Sequence, residues 1–189
     1  MSIYYGDPKK ALENRKRFFG KLGINIKNVV EVKQVHGNKV LLAEDILNST
    51  AEADSLLTNK QGFILMMKIA DCMAIGLYDP KHNAIALIHA GFRGLDNGII
   101  KNSIDKMRKK YKTNPKDLII KINPSIGPCH YRIDLWKQAE EQLIDAGVLK
   151  KNIDNPKICT YESSDYFSHR RSDDTNTTEG RFVTIFGLC

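Results

Sequence analysis

A chain of 189 residues, 42% of them hydrophobic, can bury one core and is short for two, so a single domain over residues 1–189 is expected. Its longest apolar run, Gly62 to Met67, stops at Lys68, whereas a membrane-spanning helix needs roughly 20 apolar residues, so no membrane partner is expected. The formal charge of +7 could serve a nucleic-acid partner, but the Lys and Arg residues spread over Lys9 to Lys27 and Lys101 to Lys121, segments that read as amphipathic helices with solvated faces.

The first residues carry Tyr4, Tyr5 and Asp7 where an export signal would place basic and then apolar residues. The cysteines (Cys72, Cys129, Cys159, Cys189) form no Cys-x-x-Cys pair. Reduced thiols in a cytoplasmic protein are the expected state.

Asp7-Pro8 supplies a cap and a first-turn proline for a helix whose apolar face is Ala11, Leu12, Phe18, Phe19 and Leu22, ending at Gly23. Asn28 to Val35 and Lys39 to Ala43 read as two strands meeting near His36, with Gly37-Asn38 between them. Further strands are expected at Gly62–Ile69, Met73–Tyr78 and Asn83–Ile88, the last two joined by Asp79-Pro80-Lys81-His82. Ile100, Ile104, Met107 and Tyr111 repeat at helical spacing after the capping pair Asp96-Asn97. Asp117 to Asn123 reads as a strand and Asp134 to Ala146 as a helix with Trp136, Ala139 and Leu143 inward. Ser163 to Glu179 reads as a polar loop and Arg181 to Phe186 as a last strand. Strands outnumber helices without alternating regularly with them, so the expected class is α/β with a mixed sheet flanked by helices.

His36, Cys72 and His89 all fall at strand ends, where a rigid scaffold presents side chains to a cleft. Zinc suits such a Cys/His mixture, and three protein ligands leave a fourth position open. On the residues alone, three separately packed side chains remain the competing reading. His89-Ala90-Gly91-Phe92-Arg93-Gly94-Leu95-Asp96-Asn97-Gly98 joins a strand to a helix. Its glycines expose N–H groups and Arg93 offers a planar anion donor, against the plainer reading of a simple connection. In Ile126-Gly127-Pro128-Cys129-His130-Tyr131 a nucleophile-and-base pair is disfavoured, because neighbours on an extended segment point to opposite sides. Phe167-Ser168-His169-Arg170-Arg171 adds cationic groups, with a surface loop as the alternative.

Gln34-Val35-His36-Gly37, Ala53-Asp54, Ala70-Asp71-Cys72, His89 to Gly94, Ile126 to Cys129, Cys159-Thr160, Phe167 to Arg171 and Gly180-Arg181 follow one another in the order seen in the laccase-domain proteins. The chain resembles that family, also called YfiH-like or multicopper polyphenol oxidase-like, from Gly6 to Leu188. The resemblance implies a three-layer α/β/α fold with a mixed sheet and one zinc per chain on His36, Cys72 and His89. It also implies purine nucleoside phosphorylase activity, a transfer to phosphate, on adenosine, inosine and methylthioadenosine, with hydrolytic adenosine deaminase activity beside it. Purine nucleoside and phosphate are then the partners of a monomer or homodimer.

Phosphate is assigned to Gly91, Arg93 and Gly94, with Arg170 or Arg171 as a second contact. Asp71 and Cys129 are candidates for proton transfer or for holding the metal ligands. Departures from the family are Phe92 for Trp, His169 for Tyr, Arg132 for an acid and Glu179 for Thr, and the family's N-terminal strand region is expected to be absent. The competing functions are a copper-dependent phenol oxidase, disfavoured by a single His2Cys site, a metal-free Cys72/His89 hydrolase, and a zinc-stabilised nucleic-acid-binding module.

Overall fold

The protein is described by a computed structural model that covers residues 7–47 and 51–188. Helix α1 (Pro8–Lys21) starts where the Asp7 carboxylate accepts from Lys9 N at 2.8 Å, and ends just before Gly23, whose φ of +67° reverses the chain. Ala11 and Phe19 are buried, while Leu12 and Leu22, expected on the same face, are exposed. The expected loss of an N-terminal strand region falls on residues 1–6, outside the described ones.

Nine strands are described: β1 (Val29–Glu31), β2 (Val40–Leu42), β3 (Ser55–Thr58), β4 (Ile64–Ile69), β5 (Met73–Asp79), β6 (Ala84–Ala90), β7 (Ile119–Ile122), β8 (Ile153–Asp154) and β9 (Phe182–Gly187). They form two mixed sheets. One has the order β2-β3-β6-β5-β7-β8, with β2/β3 and β7/β8 parallel and the other pairs antiparallel; the other has the order β1-β4-β9, parallel then antiparallel. The two strands expected to meet at His36 therefore part company, β1 joining β4 and β2 joining β3.

Because strand side chains alternate in direction, the large sheet sorts its residues between two cores. Leu57, Ile75, Leu77, Ala86, Ile88, Ile120 and Ile122 pack under α3 (Ile99–Tyr111) and α4 (Leu135–Asp145). Leu56, Ala74, Ile85 and Leu87 face Val30, Leu65, Met67 and Ile69 of the small sheet. Strands β3 and β6 are buried along their whole length, and β6 accordingly reads as a nearly continuous apolar run, whereas β3, Ser-Leu-Leu-Thr, buries a polar residue at each end. The class is the expected α/β, with the β-layer divided into two sheets, helices α3 and α4 on one side and α1 tied to β1 through Arg15 and Glu31.

Helix α3 buries the expected Ile100, Ile104, Met107 and Tyr111. Its start differs: Gly98, in a left-handed conformation with φ 75°, precedes it, and Asp96 ends the separate short helix α2 (Phe92–Asp96). The polar stretch expected as a loop contains helix α5 (His169–Thr175), capped by Ser168 Oγ accepting from Arg171 N at 3.1 Å. No helix among the described residues is long and apolar enough to cross a membrane.

Candidate functional site

The register of the large sheet brings three strand ends to one edge. Ser55 pairs with Ile88 and Ala74 with His89, so Asp54 and Cys72, each just before its strand, come to His89 near the end of β6. His89 N donates to Asp54 O at 2.7 Å and closes that corner.

The buried Asp54 side chain is the organising group. Its oxygens accept from the backbone N–H groups of Val35 (3.3 Å), His36 (3.0 Å) and Gly37 (2.7 Å), and from His89 Nδ1 at 2.7 Å. One carboxylate thus holds the turn of His36, a non-glycine residue at φ 58°, and the ring of His89. His36 and His89 meet edge to face with centroids 4.8 Å apart. The ligand atoms of His36, Cys72 and His89 all lie within 4.8 Å of one another, so the three could hold a metal ion. The donor set fits: two imidazoles and a thiol suit zinc or copper better than the hard cations, and the His89–Asp54 bond leaves Nε2 of that ring as its donor.

The electrostatics agree with that use. Burial alone would raise the Cys72 thiol, but the charge of His89 and hydrogen bonds with both imidazoles bring it down to about 6. Burial would lower His89, yet the Cys72 thiolate and Asp54 raise it to about 9. Burial also opposes ionisation of Asp54, and its hydrogen bonds from His89 and Gly37 more than offset this and lower its pKa. Without a metal, neutral pH therefore finds a thiolate beside an imidazolium.

The three residues line a cleft of about 750 Å³, the size of a small-molecule site. Lys33, Lys68, Arg93, Arg170 and Arg181 give it a basic lining, and Phe92 and Tyr131 give it aromatic surface. Lys68 Nζ donates to Glu31 at 2.8 Å, and Arg181 pairs with Glu179, which His169 Nδ1 also reaches at 2.9 Å. The Arg93 carbonyl accepts from Asn97 N at 3.0 Å, but its guanidinium makes no hydrogen bond or ion pair among the described residues.

The other residues singled out in the sequence divide. A Cβ on Gly91 would stand 2.7 Å from Cys72 Sγ, and one on Gly94 would stand 3.3 Å from Gly37 O, so both glycines have a steric reason to be there. Asp71, at φ 80°, lines the cleft, and its carboxylate is engaged by other elements: Oδ1 accepts from Thr160 Oγ1 at 2.7 Å and Oδ2 from Arg170 N at 2.8 Å. Arg170 lines the cleft, with its guanidinium 6.0 Å from the centre of the Tyr131 ring. Arg171 does not face it. Its guanidinium donates to the carbonyls of Thr160, Tyr161, Ser163 and Tyr166, so it pins a loop instead of contacting an anion.

Cys129 is exposed and outside the cleft lining, and partial desolvation together with a hydrogen bond to Cys159 raises its thiol to about 11, which disfavours a thiolate there in the metal-free protein. Residues 127–131 form a turn, not an extended segment, so the argument that Cys129 and His130 point apart fails. Sequence reasoning gave no role to Asp54, although Ala53-Asp54 was among the motifs, nor to Lys68, whose N and O both bond the Gln34 amide.

Residues 1–134 and 130–189 match the model of a family described as multi-copper polyphenol oxidoreductase laccase. The chain is 28% identical to the purine nucleoside phosphorylase YlmD of Geobacillus stearothermophilus, over 99% of this chain and 82% of that protein. It is 26% identical to the purine nucleoside phosphorylase YfiH of Shigella flexneri, over 100% of this chain and 85% of that one. The crystal structure of YlmD from Geobacillus stearothermophilus superposes with a TM-score of 0.91 at 26% identity, covering 100% of this chain and 84% of that chain.

Proposed function

The chain belongs to the multi-copper polyphenol oxidoreductase laccase family, and we propose that within it this single-domain protein is a zinc-dependent cytosolic purine nucleoside phosphorylase with a secondary adenosine deaminase activity. The observation that carries this reading is the convergence of His36, Cys72 and His89 in a cleft whose rim is basic and partly aromatic. The names of the relatives in Geobacillus stearothermophilus and Shigella flexneri support it.

In this reading His36, Cys72 and His89 hold one zinc ion, and Asp54 fixes the tautomer and orientation of His89 by accepting from Nδ1. Bound by these three donors, zinc would supply Lewis acidity for hydrolytic chemistry at C6 of adenine. Phosphorolysis needs a different arrangement, an anion held beside the sugar. Arg93, whose guanidinium has no partner among the described residues, is the planar donor for phosphate, and Arg170 is the second contact. A phosphate oxygen bonds the ribose anomeric carbon as the glycosidic C–N bond breaks. The base leaves with that electron pair and takes up a proton. Phe92 and Tyr131 provide surface against which a purine stacks.

The test is incubation of the zinc-loaded protein with adenosine, with and without phosphate, followed by chromatography. Adenine and ribose 1-phosphate are expected with phosphate, and slow inosine and ammonia without it. Arg93→Lys is expected to lower phosphorolysis more than deamination, since a point charge does not replace a bidentate donor. Intact adenosine under both conditions, or equal loss of both rates in Arg93→Lys, overturns the assignment.

A further inference from the structure

A second group of soft donors stands apart from the cleft. The ligand atoms of Cys129, His130 and Cys159 lie within 4.8 Å of one another, and neither cysteine is among the cleft residues. We propose that Cys129, His130 and Cys159, completed by Glu162, form a second zinc site that clamps the turn bearing Tyr131 to the loop that begins at Cys159.

The local structure prepares each donor. Gly127 O accepts from both His130 N and Tyr131 N at 3.1 Å, which folds residues 127–131 into a turn and swings Cys129 and His130 towards one side. The second segment is held alongside by the Ser125–Cys159 bridge, with Thr160 N donating to Ser125 O at 3.1 Å and Gly127 N to Cys159 Sγ at 3.3 Å. The His130 ring is stacked on Tyr161 with centroids 3.9 Å apart and planes 14° apart, so its orientation is set. Its Nδ1 is buried and has no hydrogen-bond partner; the nearest acid is Glu162 Oε1 at 3.9 Å. A buried ring nitrogen without a partner, beside two thiols and a carboxylate, is a donor set lacking its acceptor.

Zinc binds thiolate at about 2.3 Å and imidazole at about 2.0 Å, so tetrahedral donors stand about 3.5–4 Å apart, a spacing within the 4.8 Å that bounds these three. Small side-chain rotations would complete the shell. Two thiolates, an imidazole and a carboxylate close it, which is the arrangement of a structural site. Zinc uptake would release the thiol protons to solvent. The loop so fixed also supplies Thr160 to Asp71 and four carbonyls to Arg171, so the clamp acts on the wall of the cleft from behind.

The test is titration of the reduced, chelator-stripped chain with zinc chloride against a chromophoric chelator. Cys129→Ser is expected to bind one zinc ion fewer than wild type while keeping its circular dichroism. Cys72→Ser, in which the cleft site is broken, is expected to keep a thiolate-to-cobalt absorption when loaded with cobalt(II). Failure of the cleft reading would look different: one zinc in wild type and none in Cys129→Ser. The proposal is overturned if Cys129→Ser binds as much zinc as wild type, or if cobalt-loaded Cys72→Ser shows no thiolate band. A Cys129–Cys159 disulfide detected by mass in protein purified without reductant overturns it equally.

Discussion

Asp54 and Asp71 are both buried aspartates, the first behind the cleft residues His36 and His89 and the second lining the cleft, and they hold it by different means. Asp54 stands at the edge of the large sheet and receives four N–H groups, three from the His36 turn and one from the His89 ring. Asp71 receives a hydroxyl from Thr160 and the backbone N–H of Arg170, while its own carbonyl accepts from Ile126 N at 2.9 Å. The first side is set by strand register and positions the candidate metal ligands. The second is a loop wall, fixed by a few side-chain bonds and by the carbonyls that Arg171 gathers. A cleft built this way separates metal affinity from the order of its wall, and substitutions on the two sides should have different signatures.

The largest expected effect on zinc comes from Asp54→Asn. Loss of the charge that orients a ligating histidine typically weakens metal binding by about 10–100-fold, and a competition titration would measure it. The Asp71 carboxylate, bonded to Thr160 and Arg170 N, makes no hydrogen bond to a proposed zinc donor, so Asp71→Asn should act elsewhere. It should cost about 1.5 kcal/mol of stability, as expected for weakening hydrogen bonds to a buried charge, and leave zinc affinity within about threefold. If chemical denaturation and zinc titration gave the two variants the same profile, the division of labour between these carboxylates would be lost.

The side built on strands was legible in the sequence, and the side built on a loop was not. His36, Cys72 and His89 could be picked out because strand ends follow apolar runs, and the large sheet then brought them together. Strand β3 was missed: Ser55–Thr58 is four residues, buried on both faces, with no alternation to announce it. Helix α5 was missed because His169–Thr175 is almost wholly polar, and its place depends on Ser168 and on a distant carboxylate, Asp71. Arg171 was read as an anion donor because nothing in its neighbours tells that four carbonyls will surround it. The pairing of β1 with β2 failed for a related reason, since proximity in sequence was outweighed by the two separate cores.

A subtler probe of the metal side is pH. In the metal-free protein Cys72 ionises at about 6 and His89 loses its proton at about 9, whereas a metal needs a thiolate and a neutral imidazole. Between pH 7 and 8 the thiolate is already formed, and each zinc bound on this side displaces one proton from His89. Affinity there should rise about tenfold per pH unit, measured for the cleft site in a Cys129→Ser background. A flat profile over that interval would remove His89 from the ligand set.

The smallest effect concerns a third carboxylate, held by charges in place of N–H or hydroxyl groups. Glu31 on β1 accepts from Arg15 Nη1 at 2.6 Å and Nη2 at 3.0 Å, and from Lys68 Nζ at 2.8 Å, joining α1, β1 and the cleft-lining β4. Burial opposes its ionisation, but the hydrogen bonds and charges of Arg15 and Lys68 outweigh this and lower its pKa below the ordinary 4.5. A carboxylate with a lowered folded pKa contributes stability that is fully present above its unfolded value and is lost as pH falls through the folded one. Wild-type stability should therefore decline as the pH drops below about 5, and Glu31→Gln should remove Glu31's share of that decline. Near pH 7 the variant should be less stable by about 1 kcal/mol, a modest loss because the network is partly exposed to water. The gap between the two proteins should narrow in acid, while zinc affinity at pH 7 stays unchanged because Glu31 touches none of His36, Cys72 and His89. Melting curves recorded across this pH range decide it: parallel curves for the two proteins would mean that the ion network contributes nothing to acid sensitivity. A change in zinc binding would mean that α1 and the small sheet are coupled to the metal side, against the separation argued for Asp54 and Asp71.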